Sequence, residues 1–204
     1  GRMENKITAF NIRDFFNEDS TYAVGEKSLT ELLSEFSCGK NPAVEKFLKE
    51  NAIDFAKKNQ SVTYLVFAGE EASFVGYFTL AIKPICVNVK KFSNTLKRKI
   101  GRVSSANKKE EMYTLSAYLL AQLGKNERDG ANHKITGKQL LEVAASTIKA
   151  LQYQVGGMVM FLETENVVRL LQFYEAENGF KKFAVRKTQE NTEEHTLVQL
   201  LKII

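Results

Sequence analysis

Residues 137–162 constrain the fold more than any other part of the chain. Apolar residues first recur at helical spacing, and Gly156 and Gly157 then interrupt the pattern. The five residues that follow, from Met158 to Leu162, are all apolar, as in a strand that is covered on both faces. A helix that leads into a strand of this kind predicts an α/β fold, with helices packed against a sheet.

The rest of the chain supplies further strands and helices in a regular order. We predict strands at 7–12, 61–67, 73–82, 112–123, 158–162, 180–186 and 196–203, and helices at 28–36, 42–59, 138–155 and 167–178. Asn41 and Asn166 are candidate helix caps, and Pro84 is expected to close the strand before it. Between residues 90 and 109 no regular pattern is visible.

Length and composition favour a single domain. A chain of 204 residues with 44% hydrophobic residues can bury one sizeable core. Gly1 and Arg2 precede Met3 and resemble a remnant of tag removal, so the predicted domain covers residues 3–204. No run approaches the roughly 18 apolar residues of a membrane span, and the N-terminus is polar. We therefore expect a cytoplasmic protein without a membrane partner, and the sequence leaves an oligomer open.

Cysteine and histidine content argues against disulfides and metal sites. Cys38 and Cys86 are too few for a disulfide framework, and a chain of this length does not need one. His133 and His195 are the only histidines and lie far from both cysteines in the sequence. A zinc site needs three or four clustered ligands, so we expect no metal.

The positive charge is concentrated in one segment. Between Lys90 and Lys109 there are eight basic residues and no acidic one, whereas the whole chain carries a net charge of +5. A concentrated basic segment can attract a polyanion such as RNA. A solvated lysine-rich loop is the alternative.

Three motifs give the chain a resemblance to the GNAT family of N-acetyltransferases. A Phe-x-Cys-Gly segment runs from Phe36 to Gly39, as in one branch of that family. The sequence Gly137-Lys138-Gln139-Leu140-Leu141 is similar to the end of the family's coenzyme A loop, and residues 173–180, FYEAENGF, resemble its FYE-x-x-x-GF segment. The resemblance covers nearly the whole chain and implies a mixed central sheet of about seven strands with flanking helices.

The resemblance also implies a site for acetyl-coenzyme A. A helix N-terminus has unpaired amides and partial positive charge, so it can bind phosphate. The family's loop pattern has Gln or Arg, then Gly, then Gly or Ala, where this chain has Asn132, Ile135 and Gly137. Lys134 and Lys138 could compensate for the altered positions, and Thr136 lies between them in the loop. An ordinary helix-start glycine is the alternative interpretation of Gly137.

Backbone groups at the end of the long strand complete the cofactor site that the resemblance implies. They should hydrogen-bond the pantetheine arm and polarise the thioester carbonyl. The candidate residues are Gln122, Leu123, Gly124 and Lys125. A nucleotide-hydrolase P-loop is disfavoured, because Asn132 and Gln139 stand where that motif has Gly and Ser or Thr.

Tyr174 is the candidate catalytic acid. A phenol with a pKa of about 10 is protonated at neutral pH and can donate to a departing thiolate, whose pKa in solution is about 8.5. Its spacing from Leu170 and Leu171 also fits a residue that packs in the core. No general base stands out, since Glu110, Glu111 and Glu163 fit ordinary surface charges better than a base.

The sequence therefore predicts transfer of an acetyl group from acetyl-CoA to a primary amine of a small molecule or protein. Two alternatives stay open. One is an enzyme that resembles the family's toxins and acetylates aminoacyl-tRNA. The other is a GNAT-like module that binds coenzyme A or RNA without catalysis.

Overall fold

Eight strands form one mixed sheet in the computed structural model, which describes residues 6–107, 109–190 and 193–204. The strands are β1 (Ile7–Asn11), β2 (Val62–Ala68), β3 (Ser73–Asn88), β4 (Ser104–Asn107), β5 (Met112–Lys125), β6 (Val159–Glu165), β7 (Lys181–Glu190) and β8 (Glu193–Ile203). Their order is β1-β2-β3-β5-β6-β8-β7, and β4 pairs with β5. The predicted mixed sheet with flanking helices is confirmed. The tag remnant proposed at Gly1 and Arg2 lies outside the described residues.

Seven α-helices accompany these strands in the described ranges. They are α1 (Arg13–Phe16), α2 (Glu26–Ser34), α3 (Pro42–Glu50), α4 (Ala52–Lys57), α5 (Asn94–Gly101), α6 (Gly137–Val155) and α7 (Val168–Leu171). Short 3-10 turns lie within Arg128–Lys134, interrupted by a kink at Asp129 and Gly130, whose φ values are +51° and +72°. Helix α7 continues directly into a π-helical turn, Gln172–Glu177. No helix of the described residues is long and apolar enough to cross a membrane.

The helix predicted after Pro42 is two helices rather than one. Asn41 caps α3 as predicted, because its side chain accepts a hydrogen bond from the Val44 amide. At Asn51 the backbone leaves helical values, with φ −122°, and α4 begins at the next residue. Asparagine stabilises a helix interior poorly, which is consistent with a break at this position.

The prediction that Pro84 ends its strand was wrong, since β3 continues to Asn88. The antiparallel register between β2 and β3 ends at the pair Val62–Leu80. Beyond Leu80, strand β3 has no partner in β2, so a residue without an amide proton breaks no bond of that ladder. Proline is therefore tolerated there without closing the strand.

The basic segment contains regular structure that the sequence did not reveal. Ser93 caps α5 by accepting a hydrogen bond from the Leu96 amide at 3.2 Å. Leu96 and Ile100 share one face of the helix and pack into an apolar cluster, and β4 follows. Lys108, which belongs to the same basic segment, lies outside the described residues.

The last predicted helix begins differently from our expectation. Val167, and not Asn166, is its N-terminal cap residue, and no side chain caps it. Val167 has an extended backbone, and its carbonyl accepts the first helical hydrogen bond, from Leu171. The helix then widens into the π-helical turn.

The described residues divide into two compact units, each with its own apolar core. The first unit comprises residues up to 81 and 120–147, and its core lies between α2, α3 and α4 and strands β2 and β3. The second comprises 82–119 and 148–204, with a core that includes Ile85, Val87, Ile100 and Phe161. The single-domain organisation expected from the sequence stays a prediction.

Candidate functional site

The start of α6 is closed by a reciprocal pair of hydrogen bonds. The Thr136 amide donates to Oε1 of Gln139 at 2.9 Å, and the Gln139 amide donates to Oγ1 of Thr136 at 3.1 Å. This arrangement is a capping box, which the sequence pattern T-x-x-Q could have revealed. The first helical bond runs from the Leu140 amide to the Thr136 carbonyl. Within the described residues, the amides of Gly137 and Lys138 have no hydrogen-bond partner. Initial N–H groups of a helix point toward its N-terminus, so these two are available there.

Lys125 holds the loop that leads to this helix. Its ammonium group donates to the carbonyl oxygens of Asn132, at 3.2 Å, and Ile135, at 3.4 Å. An ammonium group has three donors, so one is left after these two bonds. The side chain of Lys125 therefore fixes the loop and brings a positive charge close to the start of α6, a role that its position in the sequence did not suggest.

The two altered positions of the loop do not obstruct it. Ile135 is buried, and its backbone is extended, with φ −144°, a conformation that needs no glycine. Its side chain therefore lies in the core and not at the surface of the loop. Asn132 is half-buried and contributes its carbonyl to Lys125.

The two lysines expected to add charge at the loop differ in their surroundings. Lys134 donates to Oγ of Ser73 at 2.7 Å, so its ammonium group is directed to the turn between β2 and β3. Lys138 is exposed at the second position of α6. Of the two, Lys138 is the side chain that remains at the helix start.

Strand β5 ends beside the same loop. Its parallel pairing with β6 consists of Tyr118–Met160 and Leu119–Phe161, and no described residue from Gln122 to Lys125 continues it. On its other side β5 neighbours β3 closely: a Cβ on Gly76 would lie 2.7 Å from the Gly124 carbonyl oxygen. Residues 122–125 therefore have one strand edge whose backbone groups can bind an extended ligand.

The Phe-x-Cys-Gly segment is tied to the end of β5 by its backbone. The Ser37 amide donates to Oδ1 of the buried Asn126 at 3.0 Å, and the Gly39 amide donates to Oε2 of Glu127 at 2.9 Å. Burial raises the pKa of the Cys38 thiol, so it is a poor nucleophile. The segment anchors the strand end, and nothing in the sequence indicated Asn126 or Glu127 as its partners.

Tyr174 lies in the π-helical turn, in the second unit. Its ring contacts Phe173 and Phe180 edge to face, with centroids 5.0 Å and 5.6 Å away. The side chain is half-buried, and this burial raises the pKa of the phenol to about 12. The phenol is therefore a hydrogen-bond donor at every physiological pH.

The candidate bases are all engaged with other groups. The carboxylate of Glu163 pairs with the guanidinium group of Arg186, whose Nε and Nη2 lie 2.8 Å and 2.7 Å from Oε2. The carboxylate of Glu111 lies 3.5 Å from the ammonium group of Lys97. The carboxylate of Glu110 accepts a hydrogen bond from the side-chain amide of Asn107 at 3.0 Å. The described residues contain no cluster of three or more metal-ligating side chains.

Comparison with known proteins gives a likeness in structure but not in sequence. No protein-family model matches the chain, and no curated protein matches it. A structure of AtaT complexed with acetyl-methionyl-tRNAfMet has a TM-score of 0.58 at 18% identity, over 94% of both chains. A KacT variant with tyrosine replaced by phenylalanine gives 0.57 at 18% identity, over 95% of both chains. This chain has the same GNAT-like fold.

A third structure shows a relative with its ligands. It is an AtaT toxin variant, also with tyrosine replaced by phenylalanine, bound to the C-terminus of the antitoxin AtaR and to acetyl-CoA. Its TM-score is 0.57 at 17% identity, over 97% of this chain and 92% of that chain. At such low identity the likeness shows the shared fold.

Proposed function

We propose that this chain is an acetyl-CoA-dependent N-acetyltransferase that acts by direct transfer on a primary amine of a small molecule or protein. The observation that carries the proposal is the loop between β5 and α6. It brings together two free amides at a helix start, the ammonium group of Lys125 and an unpaired strand edge within one compact unit. Structures with the same fold contain acetyl-CoA.

The residues present fit the chemistry of acetyl-CoA. The amides of Gly137 and Lys138, at the positive end of α6, suit the diphosphate. Backbone groups of Gln122 to Lys125 suit the amide-containing pantetheine arm, because that edge of β5 has no strand partner among the described residues. Acetyl-CoA would supply the acetyl thioester.

Tyr174 is the group that we assign to the departing sulfur. Because its pKa is raised to about 12, the phenol keeps its proton and donates a hydrogen bond as negative charge develops on sulfur. Full proton transfer to a thiolate of pKa about 8.5 is unfavourable. In this proposal the neutral amine would attack the acetyl carbon and lose one proton to solvent as the amide forms, while the carbon–sulfur bond would break with its electron pair leaving on the coenzyme A sulfur.

Aminoacyl-tRNA is the second candidate acceptor. Helix α5 packs through Leu96 and Ile100 and leaves Arg98, Lys99 and Arg102 exposed. These cations suit the phosphates of RNA. The structure of AtaT with acetyl-methionyl-tRNAfMet is a precedent in a protein of the same fold. The absence of a disulfide between Cys38 and Cys86, together with acetyl-CoA chemistry, fits a cytoplasmic location.

The decisive test combines binding and turnover. Calorimetry should detect acetyl-CoA binding, and a thiol-release assay with a panel of amines should detect acceptor-dependent release of coenzyme A. In Tyr174→Phe, turnover should fall at least about tenfold, while acetyl-CoA binding stays close to normal. Tyr113→Phe, on β5, is the matched control.

Each outcome separates the alternatives. Binding without acceptor-dependent thiol release would identify a non-catalytic module. Absence of acetyl-CoA binding would refute the enzyme proposal as a whole. Unchanged turnover in Tyr174→Phe would remove only the phenol from the mechanism.

A further inference from the structure

The π-helical turn that carries Tyr174 ends in an unusual way. Turns of this type are rare and frequently lie at functional sites. Here the Phe180 amide bonds to the Tyr174 carbonyl at 3.0 Å, and the Gly179 amide bonds to the Glu175 carbonyl at 3.3 Å. Gly179 has φ +74°, in the left-handed region that favours glycine. The backbone of Tyr174 is thus bonded directly to the residues that end the turn.

Asn178 stabilises the turn from within. Its side chain is buried, with 8% exposed, and Nδ2 donates to the Phe173 carbonyl at 2.7 Å. In a π-helix the amide five residues ahead would serve this carbonyl, but the Asn178 amide bonds to Glu175 instead. The side chain therefore replaces a backbone donor beside Tyr174.

Lys202, near the end of β8, contacts three consecutive residues of this turn end. Its ammonium group donates to the Asn178 carbonyl at 2.7 Å and lies 5.7 Å from the centre of the Phe180 ring. Its Cε is 3.9 Å from where a Cβ on Gly179 would be. One long side chain thus covers Asn178, Gly179 and Phe180.

These contacts lead to the phenol in two ways. Phe180 packs edge to face on Tyr174, with an interplanar angle of 77°, so the position of its ring limits that of the phenol. The Asn178 side chain bonds the carbonyl of Phe173, and the ring of Phe173 contacts the Tyr174 ring as a second neighbour. Lys202 touches both Phe180 and Asn178. Among the described residues, no hydrogen bond joins Lys202 to the phenol.

We propose that Lys202 is a positioning residue that holds Tyr174 in place by fixing the Asn178–Gly179–Phe180 turn. The inference rests on the proposed function of Tyr174 and adds the strand residue on which that function depends. Lys202 acts through the turn and does not touch the reacting atoms. A residue that only stabilised the fold would lower kcat equally with and without the phenol, whereas a positioning residue lowers kcat only when the phenol is present.

A double-mutant cycle tests this coupling. Lys202→Met keeps the length of the side chain and removes the ammonium group. It should lower kcat roughly tenfold, as small displacements of catalytic groups do, without changing the Kd of acetyl-CoA. In the Tyr174→Phe background the same change should alter kcat less than about twofold. Lys202→Arg should recover most of the loss.

The matched control is Lys187→Met. Lys187 is an exposed lysine of β7 that pairs with Glu194 and lies outside the turn. Its replacement should leave kcat unchanged. Equal losses from Lys202→Met with and without the phenol would overturn the proposal, because a residue that acts through Tyr174 has no effect once the hydroxyl group is gone.

Fluorine NMR on protein labelled with fluorotyrosine gives a second readout that needs no turnover. The Tyr174 signal is the one absent from Tyr174→Phe. It should shift in Lys202→Met and in Asn178→Ser, but not in Lys187→Met. An unchanged signal in folded Lys202→Met would refute the proposal. If the wild type shows no turnover, the enzymatic proposal fails, and the NMR comparison still decides the role of Lys202.

Discussion

The surroundings of Tyr174 set both the pKa of its phenol and its capacity to donate a hydrogen bond. Contacts with Phe173 and Phe180 bury the ring, and this burial raises the pKa to about 12, above the ordinary value near 10. A higher pKa makes the phenol a poorer acid but preserves it as a donor. In the proposed reaction, stabilisation of the leaving sulfur by this residue therefore comes from a hydrogen bond rather than from complete proton transfer.

This property predicts the pH dependence of the reaction. In the proposed mechanism the protonated phenol is the active form. A raised pKa keeps it protonated as the pH increases, so we expect its contribution to be lost only near pH 12. Between pH 8 and 10, kcat should therefore not decline through ionisation of Tyr174. The measurement is kcat against pH for the wild type and for Tyr174→Phe.

The comparison of the two profiles is decisive. Both should have the same shape on the alkaline side and differ only in height. An alkaline decline with an apparent pKa between 9 and 10 that is present in the wild type and missing from Tyr174→Phe would contradict the prediction. Such a result would mean that the phenol is far less shielded in solution.

Helix α6 carries the amides to which we assign the diphosphate of acetyl-CoA. Its capping box ties two of the initial amides into the protein, whereas those of Gly137 and Lys138 have no hydrogen-bond partner among the described residues. The cap therefore fixes the direction of the free amides as well as stabilising the helix. Loss of the cap should weaken both the fold and binding.

Thr136→Val tests this element. The change removes Oγ1 and keeps the branched shape, so the free energy of unfolding should fall by about 1 kcal/mol, the usual contribution of such a cap. Urea denaturation measures the effect. Thr147→Val, in the same helix, is the control, because Oγ1 of Thr147 only bonds the Val143 carbonyl behind it. Equal stability of Thr136→Val and the wild type would show that the capping box contributes nothing.

The sequence predicted elements wherever the apolar period was continuous. Helix α6 and strands β5 and β6 lie where the pattern indicated, and the loop between β5 and α6 could be located from Gly137. Helix α5 was missed because most of its residues are basic or polar. Only Leu96 and Ile100 mark its apolar face. A short apolar stripe cannot be separated from chance by periodicity alone.

Contacts over long distances in the sequence could not be predicted in this way. The end of the π-helical turn is bonded to Lys202, which lies 24 residues after Asn178, near the end of β8. Lys125 was expected to contribute only its backbone, yet its side chain holds the loop. Periodicity reports local burial, whereas such bonds depend on how the chain folds back on itself.

The distribution of charge concerns the molecule as a whole. The segment from Lys90 to Lys109 contains eight basic residues and no acidic one, which is more positive charge than the net +5 of the whole chain. The remainder of the chain is therefore net acidic. Lys97 is paired with Glu111, whereas Arg98, Lys99 and Arg102 are exposed. A cluster of exposed cations of this kind attracts a polyanion and increases its rate of encounter. Binding of an RNA acceptor would depend on this cluster, whereas binding of a small amine would not.

Replacement of Arg98, Lys99 and Arg102 together by glutamine therefore tests the choice of acceptor. Each phosphate contact contributes about 0.7 to 0.9 to the slope of log K against log salt. Loss of three contacts should reduce that slope by about two to three units, measured with a labelled tRNA. Turnover of a small amine should be unaffected, because these side chains are expected to bind phosphate and not the acetyl donor.

A triple replacement of the exposed lysines Lys27, Lys46 and Lys58 serves as the charge-matched control. An identical loss in both triple variants would indicate attraction by net charge alone, and would leave a small molecule or protein amine as the acceptor.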